Sequence, residues 1–190
     1  MSELSSTPNA VRAGTTLYAL LWPHKEHITK RWIDIVHGSY PFETVGFLRT
    51  RKDQFANPVG YRTEQAAAAL LDVLFTEAPD QAALGDAVEE IIRVRAIQDF
   101  PPETAVGIIF AMKDIVREIV EKSGQGALCY PALLTLESRI DAVALIAFGI
   151  YARCREKMHL LKVEEFKRRH SQIVRLAERK TGLQESAPEE

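Results

Sequence analysis

The side chains able to do chemistry in this chain are few and scattered. Five histidines (His24, His27, His37, His159, His170) and two cysteines (Cys129, Cys154) supply the nitrogen and sulfur donors. His24 and His27 stand three residues apart, so one helix face could carry both imidazoles, but no cysteine or acid-rich cluster nearby completes a metal site. Solvated surface histidines are the plainer reading. His37, near the end of an amphipathic stretch, is the best-placed axial ligand if a helical bundle here were to hold haem. A histidine in a last helical turn is also favoured by the helix dipole alone, and that reading is preferred. Glu89 with Glu90, and Asp99 with Glu103, are the acidic groupings beside apolar runs, and neither accompanies a nucleophile or a phosphate-binding loop. No catalytic residue, metal ligand or cofactor is therefore assigned, and the chain is not expected to be an enzyme.

One constellation merits a structural reading. In the stretch Arg95 to Lys113, RAIQDFPPETAVGIIFAMK, Arg95 and Asp99 are four apart, the spacing of an ion pair that would pin a helix end. Pro101 and Pro102 then force a corner. Alternatively Arg95, Gln98 and Asp99 line a pocket between helices and read a polar ligand. With Trp32 and His37 from an earlier helix, these residues form the candidate pocket or hinge.

The elements that must position them read as helices throughout. Leu17, Leu20 and Leu21 make a short stripe interrupted by Pro23. Ile28, Trp32, Ile35 and Val36 then recur as one apolar face, ending near Gly38 to Tyr40. Pro41 opens a shorter helix through Val45 and Leu48, and Asn57-Pro58-Val59-Gly60 reads as the next turn. Thr63 is expected to cap an alanine-rich helix through Leu74, and Asp80 to cap the one carrying Leu84, Val88, Ile91, Ile92 and Arg95. After the double proline, Ala105, Ile108, Ile109, Met112, Ile115, Val116 and Ile119 form a broad apolar face that Ser123-Gly124-Gln125-Gly126 ends.

From Pro131 to about Lys180 there is no further proline and only Gly149, so the segment reads as one helix about 75 Å long. Its core-like period runs from Leu133 through Leu161. Beyond Lys162, Val163, Phe166, His170, Ile173 and Ala177 alternate spacings of three and four, a coiled-coil seam of about two heptads and a candidate homodimer contact. Such a helix outgrows its bundle, so its end is expected to project, bend back or meet another chain. No segment alternates as a strand does. The fold class expected is all-α: a multi-helix bundle with a long C-terminal helix.

Composition sets the frame for these elements. The 190 residues are 46% hydrophobic and 26% charged, with a formal charge of −2, so one domain is expected and no chain-wide attraction to nucleic acid. Lys167, Arg168, Arg169, Arg175, Arg179 and Lys180 form a local basic face, diluted by Glu164, Glu165 and Glu178. A solvated face beside a partner seam is preferred to nucleic-acid or membrane contact. Two cysteines without metal spacing suggest reduced thiols, and no apolar run suits a membrane span, so a cytoplasmic location without membrane insertion is expected. The divisions expected are a disordered lead-in at 1–14, a helical domain at 15–161, a projecting helix at 162–181 and a disordered tail at 182–190.

Three stretches carry a resemblance: RWIDIVHGSYPFETVGFL (Arg31 to Leu48), KDQFANPVGY (Lys52 to Tyr61), and RAIQDFPPETAVGIIFAMK (Arg95 to Lys113). Together they resemble the RsbRD N-terminal domain, a helical sensory module of bacterial histidine kinases and stress-response regulators, over roughly Leu17 to Arg153. The resemblance implies a homodimeric regulatory domain, similar in role to the non-haem, globin-like sensor modules of stressosome co-antagonists. It brings no ligand and no catalytic residues. Where the family often has a capping serine or threonine before Pro102, this chain has Pro101, which stiffens the corner. No kinase, phosphatase, STAS or DNA-binding pattern follows Arg153, so the expected output is to a separate effector chain.

Overall fold

Apolar residues at spacings of three and four become helices in the computed structural model, which describes residues 17–41, 43–46, 55–76 and 80–185, with side chains to residue 177. The five longer helices are α1 (Lys25–Gly38), α2 (Pro58–Leu74), α3 (Gln81–Ile97), α4 (Pro102–Lys122) and α5 (Gly126–Glu185). A helical turn at 17–21 and a 3₁₀ turn at Trp22–His24 precede α1, and another turn occupies 43–46. No strand occurs among the described residues. The fold is an all-α bundle ending in a long helix. The expected lead-in at 1–14 and most of the Pro41 helix beyond residue 46 lie outside the described residues.

The chain divides into two units, Met1–Ala152 and Arg153–Glu190. Within the first unit, α2 and α3 form an antiparallel pair, α1 lies against α2 and α4, and α3 also meets α4. The core is the set of stripes legible in the sequence: Ile28, Trp32 and Val36 of α1, Val88, Ile91 and Ile92 of α3, and Ile109, Met112, Ile115 and Val116 of α4 are all buried. On α5 the buried period runs from Cys129 to Tyr151 and stops there. Cys154 and Met158 are half-buried and Leu161 is exposed, so the core-like reading through Leu161 was too long.

Two helix starts depart from expectation. Thr63 does not cap α2. Asn57 does, its side chain accepting from the Gly60 N–H at 2.9 Å, with Pro58 at the first helical position where its missing N–H is harmless. Gly60 is required there, because a Cβ would stand 2.2 Å from the Asn57 amide nitrogen. Asp80 caps α3 as expected, accepting from the Ala82 N–H at 3.0 Å. The last helix begins at Gly126 rather than Pro131, and Pro131 lies inside it, in the second turn, where it forgoes one intrahelical bond. It continues through Glu185, into the segment expected as tail.

Polar pairs register the helices along their rims. Lys25 meets Asp72 between α1 and α2, and Arg31 meets Glu118 at 2.5 Å between α1 and α4. Lys113 with Asp141 at 2.5 Å and Arg117 with Glu137 at 2.7 Å set α4 antiparallel to the first part of α5. These pairs are half-exposed and in contact with solvent, so each contributes only a few tenths of a kcal/mol up to about 1 kcal/mol and acts mainly on register.

Candidate functional site

The corner between α3 and α4 is built by a helix stop of Schellman type. The Phe100 N–H bonds back to the Arg95 carbonyl at 3.2 Å and the Asp99 N–H to the Ala96 carbonyl at 3.4 Å. This requires a left-handed residue between helix and exit, and Asp99 takes that role with φ of 64°. Pro101 and Pro102 follow, so the chain leaves in an extended conformation and re-enters a helix at Pro102.

In such stops the residue after the left-handed position commonly packs on the one opening the last turn. Here those two residues are Phe100 and Arg95. The Arg95 guanidinium lies 4.2 Å from the Phe100 ring centroid and 5.6 Å from that of Tyr40, and the two rings meet edge to face at 4.8 Å. Arg95 is only 1% exposed. Its Nη2 donates to Ser39 Oγ at 2.8 Å and to the Thr104 carbonyl at 3.0 Å, while Nε and Nη1 find no hydrogen-bond acceptor among the described residues. The Tyr151 hydroxyl of α5 donates to the Phe100 carbonyl at 2.7 Å, closing the far side. One buried arginine thus gathers the end of α1, the end of α3 and the start of α4, and Phe100 adds α5.

The electrostatics follow from that burial. Desolvation pushes the Arg95 guanidinium below its usual value, and the neighbouring Tyr40 hydroxyl offsets part of the shift. Tyr40 is raised by burial and held back by Arg95. The expected Arg95–Asp99 ion pair is not formed. Asp99 lies beyond the last helical residue, where the left-handed turn carries it out to solvent and i,i+4 geometry no longer applies.

The other residues expected at this place separate. Gln98, Pro101 and Pro102 are exposed. Trp32 is fully buried and its indole N–H donates to the Ile108 carbonyl at 2.7 Å, joining α1 to α4. Thr104 and Ile108 are one turn apart on α4, and their carbonyls receive Arg95 and Trp32 in turn. His37 is buried in the last turn of α1 and lines a different feature, an open groove of about 850 Å³ between α1 and α2 with Lys25, Lys30, Asp34 and Glu64 on its walls. Ser39, Tyr40, Thr104 and Tyr151 were missed as partners of the corner. The one signal was a serine and a tyrosine immediately after a helix end.

Elsewhere, Glu118 receives both Lys122 and Arg31, which hold its carboxyl down at about 2. Glu90 pairs with Arg62 at 3.3 Å on the surface. Cys129 is a buried thiol pushed up by desolvation, and neither cysteine is in a disulfide. Among the described residues no group of three potential metal ligands converges, and no helix is long and apolar enough to cross a membrane. In the second unit Phe166, Ile173 and Leu176 are exposed, and Phe166 stacks on His170 with ring centroids 6.3 Å apart.

Among the described residues a buried arginine, Arg95, joins the ends of three helices of the bundle. The family described as "RsbT co-antagonist protein rsbRD N-terminal domain" matches residues 26–165, and the chain belongs to it. That membership carries a regulatory role in signal transduction. The match extends past Arg153, where the resemblance in the sequence was drawn to a close. No curated protein and no solved structure matches the chain.

Proposed function

We propose that this protein is a non-enzymatic sensory and regulatory module that acts through a partner protein, with the last helix as its output surface. The family match over residues 26–165 carries this reading. Two features of the structure support it. The Arg95 corner ties four helices to one buried group, which gives the bundle a cooperative junction. Leu160, Leu161, Phe166, Ile173, Val174 and Leu176 are exposed, which leaves them available to another molecule. Bundles joined to a long helix can pass on small rotations or register shifts.

The test is a pair of substitutions in the full chain, Phe166→Asp and Ile173→Asp, in the host that carries the gene. Unchanged thermal unfolding of the bundle together with loss of the regulated response is the expected result. A response that survives both substitutions would remove the last helix from the mechanism.

A second reading, a small-ligand module, draws on the groove lined by His37. Its walls carry lysine and carboxylate side chains, which suit a polar ligand and not a haem face. A Soret band in protein purified from that host would reverse this preference, and a retained mass in native mass spectrometry would identify the ligand.

A further inference from the structure

From Lys162 onward the second unit, taken by itself, has an apolar seam with basic side chains beside it. Phe166 is 70% exposed and Ile173 65%. With Val163, His170 and Ala177 they occupy alternating core positions of a heptad, Val163 and His170 at a, Phe166 and Ile173 at d. In that register Lys162, Arg169 and Leu176 fall on one flank and Lys167 and Val174 on the other, while one heptad earlier Glu156 and His159 take the a and d positions, so the apolar seam starts at Val163. Residues 153–177 hold eight Lys or Arg against three Glu. Glu164 and Glu165 lie away from the seam, at b and c. Glu165 does reach Arg169 at 2.5 Å, but as an exposed pair it only partly offsets one flank.

Flanking charges decide what such a seam pairs with. In a parallel pairing of two copies Lys162 would face Lys167 of the second copy. In an antiparallel pairing each basic flank would face itself. Both arrangements set like charges together, which opposes the homodimer expected from the seam alone. A membrane surface would supply negative charge, yet an interfacial helix presents a broad apolar face. Here Leu160, Val174 and Leu176 widen the seam at its edges, but His170 lies inside it and Lys162, Lys167 and Arg169 interrupt both edges. Resting on the reading of the last helix as output, we infer that residues 162–177 dock an acidic amphipathic helix of another polypeptide, apolar along its seam and carrying Glu or Asp at the flanking positions.

The test uses the full chain and two labelled helical peptides of about 28 residues, four heptads, with the same leucine and isoleucine seam. One carries Glu at the flanks and the other Lys. Fluorescence anisotropy is expected to show the Glu peptide binding at least about tenfold more tightly. The triple variant Lys162→Glu, Lys167→Glu, Arg169→Glu is expected to invert the preference while the bundle unfolds at the same temperature. Three results would overturn the inference: equal or absent binding of both peptides, a wild-type dimer in sedimentation that Phe166→Asp dissociates, or displacement of the Glu peptide by vesicles rich in anionic phospholipid. If Phe166→Asp abolishes the response in the host while the Glu peptide shows no advantage, the acidic partner is wrong and the output reading stands. If the response survives both Phe166→Asp and Ile173→Asp, the output reading itself fails.

Discussion

Helices α3 and α4 both end on a residue in the left-handed region, and they do so with different means. At the end of α4 the residue is Gly124, with φ of 69°, in an exposed turn where an added Cβ would meet nothing within 4 Å. At the end of α3 it is Asp99, with φ of 64°, which carries a side chain that this conformation disfavours. The first turn asks only for a backbone shape, and glycine supplies it. The second is held from outside: Phe100 sits on a buried guanidinium and its carbonyl is taken by Tyr151. Tertiary contacts there do what glycine does at the other end, so the α3 stop is tied to the bundle and the α4 stop is local.

The comparison can be broken most forcefully at Arg95. Arg95→Ala leaves a void under Phe100 and removes a donor from Ser39 and Thr104, so a loss of about 3 kcal/mol is expected in urea unfolding followed by circular dichroism. An effect no larger than that of an exposed substitution would mean the corner is as local as the other. Gly124→Ala comes next. The left-handed backbone penalty predicts a loss of about 1–2 kcal/mol in the same assay, with no change around Arg95. Asp99→Gly should act in the opposite direction, stabilising by about 0.5 kcal/mol, because the strain is relieved while the contacts of Phe100 persist. A destabilised Asp99→Gly protein would show that the aspartate side chain contributes more than its backbone costs.

The smallest effect concerns Glu118, near the end of α4, and it is read as pH dependence. Its carboxyl is held at about 2, below the ordinary 4.5, by Lys122 and Arg31. A depressed carboxylate contributes stability that is present above its unfolded value and lost as pH falls through the folded one. The midpoint of thermal unfolding of Glu118→Gln should therefore differ from wild type above about pH 4.5 and converge with it toward pH 2. A constant difference across that range would rule out the two cations as its cause.

The helices were legible because their buried faces repeat at the helical period and leave the sequence little choice. Caps were legible where a side chain announces them alone, as Asp80 does. Asn57 was hidden because the same Asn-Pro pair reads equally as a turn, and only the helix behind it decides. The corner was half legible. RAIQDFPP signals a stop, yet the i,i+4 spacing of Arg95 and Asp99 suggests a pair that the left-handed residue prevents. The actual partners, Ser39, Tyr40, Thr104 and Tyr151, come from three other parts of the chain, and no spacing within one helix encodes them. On α5 the apolar period persists past Tyr151 although burial does not. A periodic face records that something can cover it and is silent on whether this chain does so.

Trp32 and Arg95 end on carbonyls one turn apart along α4, each donated from a different helix. An axial slide of α4 by a fraction of a turn would break both bonds in a buried setting, whereas a full turn, about 5.4 Å, returns a carbonyl to each donor. The helix is in this sense indexed like a toothed bar under two pawls: stiff to small pushes, with its alternative resting places a whole tooth away.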